Sequence, residues 1–429
     1  MSFARFILFL SLFVSGCITA GGHSREANPL LATEGEQPDT AVARAVDAVG
    51  RKDFDTARQH LSRTLAEAPT DARALFVQAC VFLEQGALKE AADVVRRLRD
   101  VAPTSLEGPV LEALTERRAT HPTENWRDAF RAAWEKAGRP LFKDRGLLSG
   151  MTTWKKMEDS LEGAWARTAR VEVRLLLAFA GFNPDEASRR WLSIHLDDVQ
   201  DPGLLRSALE YFASDANARD PRESLRTRLR RFADQEPTEM QRALLLLVEP
   251  HPPDVPLTEE ELRELERIAA LPDYRPTPTS TLYAEAERLL RSAGVEPREG
   301  GAFSAMVQEL GLQGPFLLLK IVKASEPTLS NDHRMRLGRA LWSLGERIAA
   351  ESTLVERMVG WNMRREGAML LGDSERLTRA KRDFEAGHAV IRTTQQLELD
   401  AWPIPSLQEA MLAASVEDEW THLSAFSTP

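Results

Sequence analysis

The chain has 429 residues, 43% of them hydrophobic, with a formal net charge of −10 at pH 7. That length and apolar content allow two or three globular units, and the acidic balance excludes the basic footprint of a nucleic-acid-binding protein. Only two cysteines occur, Cys17 and Cys80, so one intrachain disulfide is the most the chain can form.

In chain order, the N-terminus comes first. Arg5 supplies a positive start, and Phe6 to Val14 form an apolar run broken only by Ser11. Small residues then lead to a cysteine in Val14-Ser15-Gly16-Cys17. This is the order of a secretory signal, and the run is shorter than the roughly 20 residues that a spanning helix needs. Val14–Cys17 resembles the lipobox of bacterial lipoproteins. The resemblance implies that residues 1–16 are removed as a signal peptide and that Cys17 becomes a lipid-modified N-terminus. Cys80 would then have no disulfide partner. The alternatives are an ordinary cleaved signal with a chance cysteine, or an uncleaved anchor. Ile18 stands where aspartate would mark inner-membrane retention, which favours the outer membrane, facing the periplasm. Residues 17–38 hold Gly21, Gly22, Pro29, Gly35 and Pro38 with little hydrophobic periodicity. They read as a flexible tether with a reach of about 25 Å.

From Asp39 a helical pattern begins, and two segments recur at a spacing of about 34 residues. Ala45 is matched by Ala79, Ala57 by Ala91 and Pro69 by Pro103. The small residues allow close helix approach, Gly86 sits at a turn, and the prolines end helices. The period resembles the tetratricopeptide repeat, a stacked helix–turn–helix unit. The first copy departs from it, with Ala48 where the family prefers a bulky aromatic and Ala41 where the second copy has Leu75. A third pair is expected over Ser105–Ala137, with Trp126, Phe130 and Trp134 on its second helix, as a further repeat or only a cap. The resemblance covers residues 39–140. It implies a peptide groove lined by Val42, Val46, Arg73, Phe76 and Cys80. The alternative reading of those apolar positions is core between adjacent helices, with Cys80 as a small buried hydrophobe.

Beyond Arg139 the period is lost but helices continue. A long helical stretch is expected over Met151–Ala180. Pro237-Thr238-Glu239-Met240-Gln241 predicts a capping box. Pro250, Pro252, Pro253 and Pro256 mark the best internal boundary, dividing residues 141–250 from 257–429. Thr258 and Glu261 predict a reciprocal cap, with Leu257 and Leu262 as its hydrophobic staple. Leu282, Ala286, Leu289 and Ala293 mark one apolar helical face, and Leu337, Leu341, Leu344 and Ile348 another. An antiparallel hairpin is expected over 333–371 and a long helix over 374–398. Val171–Phe182 and Pro315–Val322 are apolar but short, so they read as buried helix. Alternating β patterns are almost absent. The expected class is all-α: helical-hairpin repeats followed by a larger, solenoid-like helical region.

Residues suited to catalysis are scattered. Glu385 and His388 share a helix face, but a carboxylate-bridged metal site needs a second such pair. Glu259-Glu260-Glu261 fits a helix N-terminus. Asp197-Asp198 lacks the ligand count of a calcium site. Trp154, Trp165 and Trp342 read as core rather than glycan platforms. No catalytic constellation, metal or other cofactor is expected. The expected function is a membrane-tethered envelope lipoprotein that serves as a non-enzymatic scaffold or assembly factor for other envelope proteins or peptides. The alternative is an envelope enzyme acting on peptidoglycan or polysaccharide through the C-terminal helices, with Glu385 and His388 as the first residues to test.

Overall fold

The computed structural model describes residues 40–142, 146–148, 154–213, 219–235, 238–252, 254–275, 277–295 and 301–427. The signal segment, Cys17 and the tether lie outside them. The fold is all-α: among the described residues every regular element is helical and no strand occurs. Contacts divide the chain into two units. Of the described residues, one takes those up to Trp154 together with Val390–Ser415 and those from Thr421; the other takes those within Lys155–Ala389 and Val416–Trp420.

The first unit opens with three helical pairs: α1 (Thr40–Gly50) with α2 (Phe54–Glu67), α3 (Ala72–Glu84) with α4 (Leu88–Val101), and α5 (Glu107–Thr120) with α6 (Trp126–Lys136). Asp53, Asp71 and Asn125 start α2, α3 and α6 by accepting the backbone N–H of Thr56, Ala74 and Arg127, which satisfies donors that a helix start otherwise leaves open. Gly86 turns the chain between α3 and α4 at φ +71°, a conformation that glycine adopts without a Cβ clash. Ala45, Ala57, Ala79 and Ala91 are all fully buried at the contacts between helices. Consecutive pairs meet through α2 with α3 and α4 with α5, and the first helices also touch one another, α1 with α3 and α3 with α5.

The second unit contains α7 (Trp154–Arg167), α8 (Val171–Phe179), α9 (Glu186–His195), α10 (Pro202–Ala213), α11 (Arg219–Gln235), α12 (Met240–Val248), α13 (Glu259–Ala269), α14 (Thr279–Ser292), α15 (Gly301–Gln308), α16 (Gln313–Ser325), α17 (Asn331–Ile348) and α18 (Leu354–Leu371). The long α19 (Ser374–Leu397) and the final α20 (Pro405–Ser424) follow, and both contribute residues to each unit. Almost every residue of α8 is buried, and it touches α9, α10, α14 and α15.

Several expectations need correction. Met151–Ala180 is not one helix: α7 ends at Arg167 and α8 starts at Val171. Arg174 holds the break, its Nε donating to the Thr168 carbonyl at 2.8 Å. The proline cluster at 250–256 does not separate units, because α12 and α13 pack on each other across it. The end of the chain does not belong with the region before it throughout, since Val390–Ser415 joins the first unit. The capping box at Thr238 is absent; Glu239 is the N-cap without a side-chain bond, and the Gln241 amide instead donates to the Leu310 carbonyl. The Thr258–Glu261 box forms in both directions, and Leu257 and Leu262 line one apolar hollow beside it.

Leu337, Leu341, Leu344 and Ile348 are buried along α17 as their spacing predicts. The α17–α18 hairpin is antiparallel, with Gly338 against Gly367 and Gly345 against Gly360. No single described helix is long and apolar enough to cross a membrane; the pair Gly301–Gln308 and Gln313–Thr328 passes by composition but is bent by 46°.

Candidate functional site

The face implied by the repeat resemblance is not an open groove. Phe76 and Cys80 are fully buried and Val42 nearly so, while Val46 and Arg73 are half-buried. Phe76 and Cys80 have no surface left for a peptide to touch. The Cys80 thiol is pushed well above its usual range by burial, with Glu84 adding to the effect, so it is not poised as a nucleophile.

What covers Phe76 is a segment from far along the chain. Trp402 is fully buried and meets three phenylalanine rings nearly edge-on: Phe76 at 5.5 Å, Phe130 at 5.1 Å and Phe142 at 5.5 Å. Edge-to-face geometry at these separations adds to the value of the buried area. Leu397, Ile404, Leu407 and Met411 join the same core. At the rim, Glu84 accepts from Ser406 through both its backbone N–H (3.1 Å) and its hydroxyl (2.6 Å). Lys52 pairs with Glu409 at 2.8 Å, and Phe142 N–H donates to the Gln396 carbonyl at 2.8 Å. The sequence reading missed this segment. Trp402-Pro403-Ile404-Pro405 was its only local signal, and nothing in its spacing names partners as far back as Phe76.

The second unit carries a buried polar network that sequence reading also missed. Three side chains secure the end of α15. Arg206 Nη2 donates to the Glu309 carbonyl at 2.6 Å, Gln241 donates to the Leu310 carbonyl, and Tyr274 Oη donates to the Gly311 carbonyl at 2.6 Å. These bonds occupy carbonyls that a buried helix end would otherwise leave unpaired. Gly311 has φ +69°, and a Cβ there would fall on Arg206 and Gln241. Glu210 lies 3.5 Å from Arg206 Nη1. Burial nevertheless pushes Glu210 up to about 7, against the pull of Arg206, and pushes Glu309 up to about 8.

A second cluster surrounds Arg275. Its Nε lies 3.1 Å from Glu356, its Nη2 lies 3.1 Å from Glu351 and 3.0 Å from the Thr279 hydroxyl, and Nη1 donates to the Thr277 carbonyl. Thr353 donates to Glu356 at 2.6 Å. Glu419 accepts the Leu354 N–H at 2.7 Å. Burial raises Glu351 and Glu419 to about 7. In both clusters most of the bonds go to backbone carbonyls, helix starts and each other, which holds helices in place, while Arg206 Nη1 and Glu210 Oε1 face each other as an ion pair without a hydrogen bond among the described residues.

These shifts give the units opposite pH responses. Glu210, Glu309, Glu351 and Glu419 are raised in the folded state, so between about 4.5 and 8 the native second unit binds more protons than the unfolded chain, and its stability falls as pH rises. His422, in the first unit, is held down to about 4 by burial, with Arg127 and Arg131 assisting and Asp128 opposing. Between about 4 and 6.5 the unfolded chain binds the extra proton there, so that contribution rises with pH. Hydrogen exchange followed by mass spectrometry at pH 5 and pH 8, corrected for intrinsic rates, should show the core of the second unit opening more readily at pH 8. Glu309→Gln should flatten that difference. Equal protection at both pH values would contradict the assignment.

The residues considered for chemistry are dispersed. Glu385 is exposed, and the His388 ring sits 4.6 Å from Phe384 in an edge contact. Glu259 reaches Arg336 at 2.9 Å and His333 at 3.1 Å, while Glu261 caps its helix. Asp197 lies 3.8 Å from Arg228. Trp165 is mostly buried, and Arg174 packs over it at 4.8 Å and over Trp191 at 3.9 Å. Trp342 is covered by Arg364 at 4.9 Å and Arg376 at 5.0 Å. The Trp154 side chain lies outside the description. Among the described residues, no group of three or more His, Cys, Asp or Glu is arranged to hold a metal ion. Compared with protein-family models and with curated proteins, the chain matches none.

Proposed function

We propose that the chain is an envelope lipoprotein, tethered through Cys17 to the outer membrane on its periplasmic side, whose helical pairs act as a non-enzymatic scaffold or assembly factor for other envelope proteins. The observation that carries the scaffold reading is the face of the first unit, which seats a short aromatic and proline-containing segment through ring edges, aliphatic contacts and polar rim bonds. Those are the means by which helical-repeat faces hold peptides. The spacing of Ala45, Ala57, Pro69 and their counterparts supports a tetratricopeptide-like array. The tether reading rests on Val14-Ser15-Gly16-Cys17 behind a short apolar run. Confinement to a membrane raises the local concentration of such a scaffold near its partners.

Envelope fractionation of the native protein and Cys17→Ala tests this. The native form should partition with membranes and enrich a defined set of envelope proteins. The variant should move to the soluble fraction and lose that set. Unchanged fractionation of Cys17→Ala would overturn the anchor, and an absence of any co-purifying protein would overturn the scaffold.

A further inference from the structure

We infer that the face of the helical pairs in the first unit is a docking site for a partner segment of Trp-Pro-x-Pro type with an acidic C-terminal flank, and that residues 397–411 of this chain occupy it in cis. The inference rests on the scaffold reading for the existence of a partner, and on geometry for the partner's chemistry.

The occupying segment carries its own conformation. The Ala401 N–H donates to Glu398 O at 2.9 Å, and Ile404 N–H donates to Trp402 O at 2.8 Å. Gln408 Nε2 bonds the carbonyls of Trp402 at 2.8 Å and Asp400 at 3.1 Å. These bonds stay within the segment, so a free peptide of the same residues holds the determinants of its bound shape. Pro403 and Pro405 reduce its freedom before binding. Its contacts with the rest of the unit fall into the two parts of a peptide site: a central aromatic anchor at Trp402 and a polar rim at Ser406–Glu84 and Glu409–Lys52.

The cis occupant is also an imperfect one. The buried Trp402 Nε1 has no hydrogen-bond partner among the described residues, although a buried indole N–H usually finds one. Glu398 adopts φ +44°, a left-handed conformation unfavourable to a residue with a Cβ. A partner that meets the indole N–H with an acceptor, or places glycine at the strained position, would fit the same face with fewer penalties. The segment has acidic residues at Glu398, Asp400 and Glu409, and Lys52 faces the last of them. That pair calls for an acidic residue on the C-terminal flank of the partner.

The test uses the full-length protein and a labelled synthetic peptide of residues 396–411. Trp402→Ala vacates the aromatic anchor site, and Ser406→Ala removes one rim bond while leaving the core filled. The peptide should bind Trp402→Ala at least tenfold more tightly than it binds the native protein. A peptide with alanine in place of its tryptophan should bind neither. In Ser406→Ala, added peptide should speed hydrogen exchange over 397–411 as the cis segment is displaced. That arm remains decisive if Trp402→Ala fails to fold. Folded variants that take up no peptide, or unchanged exchange in Ser406→Ala, would overturn the inference. Dimers of the native protein that protect 397–411 and exclude the peptide would also overturn it, in favour of a second copy as the occupant. Peptide uptake does not depend on Cys17, so its failure and a failure of the lipoprotein reading are separable.

Discussion

Gly360→Ala is expected to destabilise the second unit by at least about 2 kcal/mol, although alanine is the better helix former by about 1 kcal/mol. The two effects oppose each other, so the sign of the result decides which governs the site. In the α17–α18 hairpin the backbones approach until they touch. A Cβ at Gly360 would lie 2.7 Å from the Gly345 carbonyl oxygen, and one at Gly367 would lie 2.8 Å from both the Gly338 carbonyl oxygen and the Trp342 nitrogen. These neighbours are backbone atoms within helices and cannot swing aside as a side-chain tip can. Relief requires the helices to separate, which opens gaps along Leu337, Leu341 and Leu344 and forfeits dispersion contacts over the whole seam. Urea unfolding of Gly360→Ala against Gly50→Ala reads the difference. Gly50 lies at the end of α1, and a Cβ there would meet no atom within 4 Å, so Gly50→Ala should stay within about 0.5 kcal/mol of the native protein. A stabilised Gly360→Ala would show that the helices do not meet backbone to backbone.

Arg275→Met is expected to cost about 3–5 kcal/mol at pH 8. The guanidinium is the cation shared by Glu351 and Glu356, and Glu356 is fully buried. Methionine fills much of the same volume, so lost packing is a small part of the effect. The larger part is the buried carboxylate that loses its hydrogen-bonded cation in a medium that solvates it poorly, with Arg357 left as a cation acting on it through space. Glu356 is already raised above its usual range by burial, with Arg275 opposing the shift. Removing Arg275 raises it further, and protonation then relieves the penalty. The cost of Arg275→Met should therefore shrink at pH 5. Arg275→Met combined with Glu356→Gln should recover part of the loss at pH 8. Equal costs at both pH values, measured by denaturant unfolding, would show that the guanidinium acts through packing alone.

Much of the helical framework was legible along the chain. The four-three-four spacing of Leu337, Leu341, Leu344 and Ile348 marks a buried face because such residues fall on one side of a helix. The Thr258–Glu261 cap was legible because both of its bonds span a single turn. Gln241 shows where that reasoning stops. Its position fits a cap, but a buried carbonyl at Leu310 competes for the same amide and wins. The glycines of α17 and α18 were legible as weak helix formers only, since the reason for them lies on the opposing helix.

The candidate docking face divides in the same way. Its helical pairs, their small-residue contacts and their turns follow from local pattern, so the sequence by itself determined the all-α class, the helix start at Thr258 and buried faces such as that of Leu337, Leu341, Leu344 and Ile348. Tertiary structure alone decided that Trp402 closes over Phe76, Phe130 and Phe142. It also decided that Glu210, Glu309 and Glu356 are interior groups rather than surface charges, and that the last part of the chain returns to the first unit. The physical reason is range. A helix cap or an apolar stripe is specified by residues within a turn or two, whereas a buried ion pair, a backbone contact or a filled groove depends on which distant residue removes water from the site.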